Sequence, residues 1–181
     1  VAGLLRDPRN RGVLMRGLGR SYGDAAQNAG GTVLTLEGSA EEAVLDRTAA
    51  TVTAGAGVSL HDLLKVIVPQ GFFVPVTPGT RFVTVGGAVA SDIHGKNHHI
   101  DGSFGQHVRS LTLMLSNGEI VELSPEQNPA WFWATVGGMG LTGVVLRATV
   151  AMLKIESSRV EVETVRLENF DAVCAAMSAD G

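Results

Sequence analysis

Apolar and polar positions along this chain switch between a two-residue and a three-to-four-residue period, and each switch marks an element. Gly12-Val13-Leu14-Met15-Arg16 is a short apolar run that breaks into glycine, the shape of a strand ending in a loop. Thr32 to Leu36 and Thr51 to Ala54 read as two further strands from their β-branched content, the second closed by Gly55-Ala56-Gly57. Ser59 is then a candidate N-cap, and Leu60, Leu63, Leu64 and Ile67 recur at helical spacing until Pro69 and Gly71 stop them. Small residues from Thr84 to Ala90 predict a short helix packed very close to a neighbour, and a polar stretch follows from Ser91 to Ser103. His107 to Leu115 and Glu119 to Leu123, joined by Ser116-Asn117-Gly118, predict a hairpin, because an Asn-Gly pair accepts the positive φ of a tight turn. Pro129 to Val136 predicts a short aromatic helix, Val144 to Ile155 a long strand region, Val160 to Leu167 an alternating strand and Phe170 to Met177 a helix. Many strands, few helices and no regular βαβ alternation make the fold class α+β.

Composition narrows the picture. At 181 residues the chain suits one domain, or one domain with a piece of a second. Apolar residues are 45% and charged residues 18%, enough to bury a core and to exclude intrinsic disorder. Lys and Arg number 14 against 18 Asp and Glu, a net charge of −4, which argues against nucleic acid or an anionic membrane as the main partner. A single cysteine, Cys174, excludes an internal disulfide framework and any four-cysteine metal site. No run is apolar enough for a membrane span, and no signal pattern opens the chain. The chain starts at Val1 and stops just after an apolar helical pattern, so it is read as part of a larger protein.

Glycine is the anomaly: 23 residues, against the ~13 that average usage would give. The excess clusters at Arg16 to Asp24, Pro78 to Gly87 and Gly137 to Gly143. Side-chain-free loops let successive N–H groups approach a ligand, and such groups cradle phosphate oxygens. The bland alternative is that these glycines serve turns and tight packing. Gly138-Met139-Gly140-Leu141-Thr142-Gly143 matches a G-x-G-x-x-G dinucleotide pattern, but a Rossmann site needs a strand before it and a helix after. Here a helix precedes and a strand follows, so that fold is rejected; no Walker motif is present either. The polar stretch holds His94, Lys96, His98, His99 and Asp101. It reads as a solvated loop, as a cofactor-facing loop, or as a zinc or iron site built from His94, His98 and Asp101, although Gly95 and Gly102 argue against one regular helix presenting those three together.

Taken in order, Arg16-Gly17-Leu18-Gly19-Arg20-Ser21-Tyr22-Gly23-Asp24, Pro78-Gly79-Thr80 through Thr84-Val85-Gly86-Gly87, and Gly138 to Gly143 resemble the FAD-binding domain of the vanillyl-alcohol oxidase type flavoproteins. The resemblance covers nearly the whole chain. It implies a two-subdomain PCMH-type FAD-binding fold over residues 1–155, with residues 156–181 opening a substrate-binding domain. It also implies FAD contacts at Met15 through Ala25, at Gly79, at Thr84, Val85, Gly86 and Gly87, at Ser91, Asp92, Ile93 and His94, and near Val145 and Leu146. A helix starting at Thr84 would add its dipole to the phosphates. His94, Tyr22 and Lys96 are the candidates for the flavin face, Lys96 as a cation beside negative charge. Many members tether FAD through a histidine in the first loop. Arg20 stands at that position, so noncovalent FAD is expected.

Asp92-Ile93-His94-Gly95-Lys96-Asn97-His98-His99, followed by Asp101-Gly102-Ser103-Phe104-Gly105, is similar to the members of this family that oxidise the 2'-hydroxyl of a decaprenylphosphoryl ribose in arabinan synthesis. The resemblance implies alcohol oxidation on a lipid-linked sugar phosphate, an NADH-dependent keto-reductase as partner subunit, and work either at the periplasmic face of the cell envelope or in the cytoplasm. The general base and most substrate contacts are expected outside these residues. The rival readings are a metal-dependent hydrolase at His94, His98 and Asp101, a noncatalytic nucleotide-binding module, and another sugar-alcohol or aldonolactone oxidase of the same family.

Overall fold

A computed structural model of the protein describes residues 3, 11–38 and 40–179. The first two strands, β1 (Val13–Arg16) and β2 (Thr32–Thr35), lie side by side in parallel as a separate pair, Val13 opposite Thr32 and Arg16 opposite Thr35. The loop between them is the first glycine cluster. The main sheet is antiparallel throughout and has the order β3-β4-β8-β6-β7, from β3 (Val44–Asp46), β4 (Thr51–Gly55), β6 (Val108–Met114), β7 (Ile120–Leu123) and β8 (Val144–Ala151). A third pair, β5 (Phe72–Phe73) with β9 (Leu153–Lys154), is also antiparallel.

Among the described residues the helices are α1 (Leu60–Ile67), α2 (Val85–Ala90), α3 (His98–Asp101) and α4 (Pro129–Thr135), followed by α5 (Phe170–Ala179). Ser59 caps α1 by accepting the Asp62 N–H at 3.0 Å, and the helix tightens into a 3-10 turn ending on Gly71 in left-handed backbone, φ 82°. The core gathers the inward side of the sheet (Val52, Ala54, Leu111, Leu113, Ala148, Val150) against Leu60, Leu63 and Ile67 of α1 and Val85, Ala88 and Val89 of α2. Alternation in β4 and β8 therefore has a plain cause: every second residue faces two helices and the others face away. This is the α+β, non-Rossmann arrangement expected from the sequence. The helix α4 precedes the third glycine cluster and β8 follows it, the reverse of a dinucleotide-binding βαβ unit.

Two expectations need amendment. Val160 to Leu167 forms no strand; Val160 and Val162 are 85% and 77% exposed. Alternation is a local property, whereas a strand needs a partner edge, and none among the described residues reaches this one. At the hairpin, only Gly118 takes the positive φ, 86°, while the Asn117 side chain accepts the Glu119 N–H at 2.9 Å. From residue 156 to residue 179 almost every side chain is exposed, and α5 buries none of its residues.

Candidate functional site: three glycine segments on one short helix

The six residues of α2 are the meeting point of the glycine clusters. At its start, Thr84 is the N-cap and its hydroxyl accepts the Gly87 N–H at 3.2 Å. The Val85 N–H goes to the Val58 carbonyl at 2.8 Å and the Gly86 N–H to the Ala56 carbonyl at 2.9 Å. Gly86 is buried against that shelf: a Cβ there would lie 2.8 Å from the Ala56 Cβ. The first loop touches the same cap, since a Cβ on Gly17 would run into the Thr84 side chain. At the other end of α2, the Gly137 N–H binds the Val89 carbonyl at 3.0 Å and the Met139 N–H the Ala90 carbonyl at 2.8 Å. Val145 is buried and Leu146 half-buried, and the Leu146 carbonyl accepts the Ala56 N–H at 2.9 Å, so the start of the last strand region joins the same shelf. The sequence showed three clusters; the tertiary structure brings them to one helix.

Their donors differ sharply. Among the described residues, no backbone N–H from Gly17 to Ala26 donates to a protein acceptor. Leu18 through Ala25 are all exposed, and Gly19 and Gly23 hold left-handed backbone at φ 63° and 60°, which keeps the loop tightly turned. Arg16 and Arg20 pair with no carboxylate among the described residues. A run of N–H groups without acceptors among the described residues, beside two guanidinium groups, suits a diphosphate. The start of α2 does not supply the donors expected of it, because the N–H groups of Val85, Gly86 and Gly87 are already taken by Val58, Ala56 and Thr84. The sequence missed the Ala56 and Val58 carbonyls, whose only signal was the Gly55-Ala56-Gly57 run.

Gly79 is exposed with open space around it, at the lip of a cleft of about 420 Å³ walled by Leu60, Leu64, Phe73, Pro78 and Phe82. The histidine turn lies against residues 75–77: the Asn97 amide donates to the Pro75 carbonyl at 2.9 Å, and a Cβ on buried Gly95 would sit 2.7 Å from the Thr77 carbonyl. His94 forms a β-bridge with Ser103, and its exposed ring meets His98 edge-on, centroids 5.6 Å apart. Lys96 is exposed, and Tyr22 is 97% exposed with no hydrogen bond or ring contact among the described residues, so no direct contact joins it to His94. Ser91 caps the end of α2, and half-buried Ile93 bonds to Ala88 and Phe104 through its backbone. The Asp92 carboxylate is engaged within the protein, accepting the Gly105 N–H at 2.8 Å.

The metal reading has no geometry to support it. Nδ1 of His98 lies 2.9 Å from the Gly95 carbonyl, and the Asp101 carboxylate accepts from Asn97 at 2.8 Å. Among the described residues no group of three His, Cys, Asp or Glu side chains could hold a metal ion. No described helix is long and apolar enough to cross a membrane.

Comparison with known proteins agrees with this geometry. The chain is 54% identical over 149 residues to the decaprenylphosphoryl-β-D-ribose oxidase of Mycolicibacterium smegmatis, covering 82% of this chain and 32% of that protein. It is 30% identical over 99 residues to the D-arabinono-1,4-lactone oxidase of Yarrowia lipolytica, covering 55% and 19%. Against the alditol oxidase of a Streptomyces species the identity is 29% over 133 residues, covering 73% and 31%. The chain thus spans under a third of the length of these curated relatives. A family model described as an FAD binding domain matches residues 2–124, most of the chain, and on that match the protein belongs to the FAD binding domain family, with FAD as its cofactor.

Proposed function

We propose that the protein is the cofactor-holding part of an FAD-dependent oxidoreductase that oxidises the 2'-hydroxyl of decaprenylphosphoryl-β-D-ribose to a ketone. The observation that carries the substrate is the gap in similarity: 54% identity to the oxidase named for that lipid-linked sugar, against 30% and 29% to oxidases named for a lactone and for alditols. FAD, when bound, supplies the acceptor for the hydride that leaves the alcohol carbon. The rest falls to the protein. The uncommitted N–H groups of residues 17–26, with Arg16 and Arg20, hold the diphosphate. Gly79 and the segment from Ser91 to His94 border the cofactor, and Val145 and Leu146 lie toward its adenine end. Thr84, Val85, Gly86 and Gly87 act chiefly by fixing the shelf on which the loop rests, since the N–H groups of Val85, Gly86 and Gly87 are engaged and the Thr84 hydroxyl caps the helix.

His94, Tyr22 and Lys96 face the ring in this reading, with Lys96 offsetting negative charge there. No residue of the chain is assigned as the base for the hydroxyl proton. Residues 156–181 open a second domain, which contributes the sugar-phosphate contacts, and the ketone passes to an NADH-dependent keto-reductase partner at the cell envelope. Arg20 cannot form a histidyl–flavin bond, so the cofactor is held without a covalent link.

Anaerobic titration of the FAD-loaded full-length protein tests the substrate. Decaprenylphosphoryl ribose is expected to bleach the flavin absorption, while alditols and aldonolactones leave it unchanged. A flavin that only an alditol or a lactone reduces would overturn the assignment in favour of the other family chemistry. Acid precipitation tests the linkage: the yellow colour is expected in the supernatant, and colour in the pellet would overturn the noncovalent reading.

A further inference from the structure

We propose that Asp92 is a positioning residue, whose carboxylate fastens the far side of the turn carrying His94, at Gly105, to the end of α2 beside the third glycine segment. The inference rests on the placement of the flavin beside His94 proposed above, and it replaces a direct cofactor contact by Asp92 with an internal clamp. Asp92 has φ 42°, a left-handed conformation that Gly adopts freely and that Asp and Asn tolerate better than other residues. This reversal directs the chain out of α2, with the Asp92 N–H on the Val89 carbonyl at 3.1 Å and the Ile93 N–H on the Ala88 carbonyl at 3.1 Å.

Two glycines show what the carboxylate holds. Gly105 is buried, and its N–H reaches the Asp92 Oδ1 at 2.8 Å; a Cβ on Gly105 would lie 2.9 Å from that same oxygen and run into Val136. A Cβ on Gly137 would lie 3.4 Å from the Asp92 Cβ, so the side chain stands between residues 105 and 137. The neighbouring bonds run the same way. The Phe104 N–H binds the Ile93 carbonyl at 2.8 Å beside the bridge between His94 and Ser103, and Gly137 and Met139 hang from the Val89 and Ala90 carbonyls. Asp92 therefore sits where the histidine turn and the third glycine segment are both fastened to the end of α2. Without its carboxylate, a buried Gly105 N–H has no acceptor.

Three variants of the full-length protein separate backbone from carboxylate. Asp92→Asn keeps both the tolerance of positive φ and a side-chain oxygen; Asp92→Gly keeps only the backbone; Asp92→Ala keeps neither. The readouts are the FAD dissociation constant and the flavin midpoint potential, the second of which a loss of fold stability alone does not move. Asp92→Asn is expected to match the parent in both. Asp92→Gly and Asp92→Ala are expected to weaken FAD about ten-fold and to shift the potential in a common direction. If Asp92→Gly matches the parent, only the backbone turn matters and the clamp is wrong. If Asp92→Asn shifts as far as Asp92→Ala, the charge itself is needed and Asp92 is a direct cofactor contact after all. A parent that binds no FAD overturns the site, not this residue's role within it. Hydrogen exchange on the unsubstituted holoprotein needs no variant: the Gly105 amide is expected to exchange as slowly as that of Phe104, and exchange at an open-loop rate overturns the clamp.

Discussion

The first loop and the start of α2 are both glycine-rich and touch where Gly17 meets Thr84, yet their backbone donors have opposite fates. In α2 every N–H of the first turn already has a protein acceptor, and the missing Cβ of Gly86 lets the helix settle onto Ala56. In the loop, the N–H groups of residues 17–26 donate to nothing among the described residues, and residues 18–25 are exposed to solvent. Glycine thus serves two ends a few ångströms apart: close packing in one segment, presentation of N–H groups in the other. So many donors without acceptors among the described residues are suited to an anion.

Substitutions at the two places break the comparison most forcefully. Gly86→Val would push its branches into the Ala56 shelf, where even a Cβ is 2.8 Å from the next carbon. It is expected to lower stability by about 3 kcal/mol, seen as a large drop in the thermal unfolding midpoint with or without FAD. Gly17→Ala strikes the other side of the contact. Its Cβ meets the short Thr84 side chain, which is held by its cap bond, so the loop must lift away from α2. The expected result is an unfolding midpoint near the parent's without cofactor and FAD affinity reduced by about ten-fold. Equal losses of stability at both glycines would erase the distinction between a packing segment and a presenting one.

Much of this was legible in the sequence, and what was not has a physical reason. The strand at Val13, the capped helix after Ser59 and the close-packed helix after Thr84 each carry their own local signal, a period, a cap or a run of small residues. β3 and β5 have three and two residues, too few to show a period. Val160 to Leu167 shows the period and lacks a partner. At the site, the order of the glycine clusters pointed to a bound diphosphate, but which N–H groups are free depends on carbonyls such as Ala56 and Val58, which precede α2 by almost thirty residues of chain. Asp92 was expected, from the resemblance, as one of a run of FAD contacts. Its partner, Gly105, lies 13 residues on and is itself distinguished only by a missing Cβ.

A smaller effect sharpens the contact itself. Thr84→Ala leaves the Gly87 N–H without its cap and is expected to cost about 1 kcal/mol in thermal unfolding. Because it also clears the space that the Gly17 Cβ would enter, the double variant with Gly17→Ala should bind FAD better than Gly17→Ala alone. Additive losses in that cycle would mean that Gly17 acts through its own backbone freedom and not through Thr84.

The smallest effect belongs to the start of α1, whose cap Ser59 bridges Thr84 without offering a free backbone donor, and which serves as the control. At α1 the Asp62 carboxylate accepts the Ser59 hydroxyl at 2.7 Å and the Lys65 ammonium at 3.0 Å, and these bonds, the Ser59 one first, hold its pKa below the ordinary carboxylate value. A depressed carboxylate contributes stability above its unfolded pKa of about 4 and loses it as pH falls through the lower folded value. Asp62→Asn does not titrate in that window. Its unfolding midpoint should therefore sit slightly below the parent's at neutral pH, and the gap should close in acid. FAD affinity should stay at the parent's level throughout, because the N–H groups of this cap, like those of α2, are satisfied from within the chain. A pH-independent gap would mean that the cap works by shape and not by charge. A change in FAD affinity would mean that this cap acts on the cofactor through its bridge to Thr84, and the first loop could no longer be singled out as the segment that grips it.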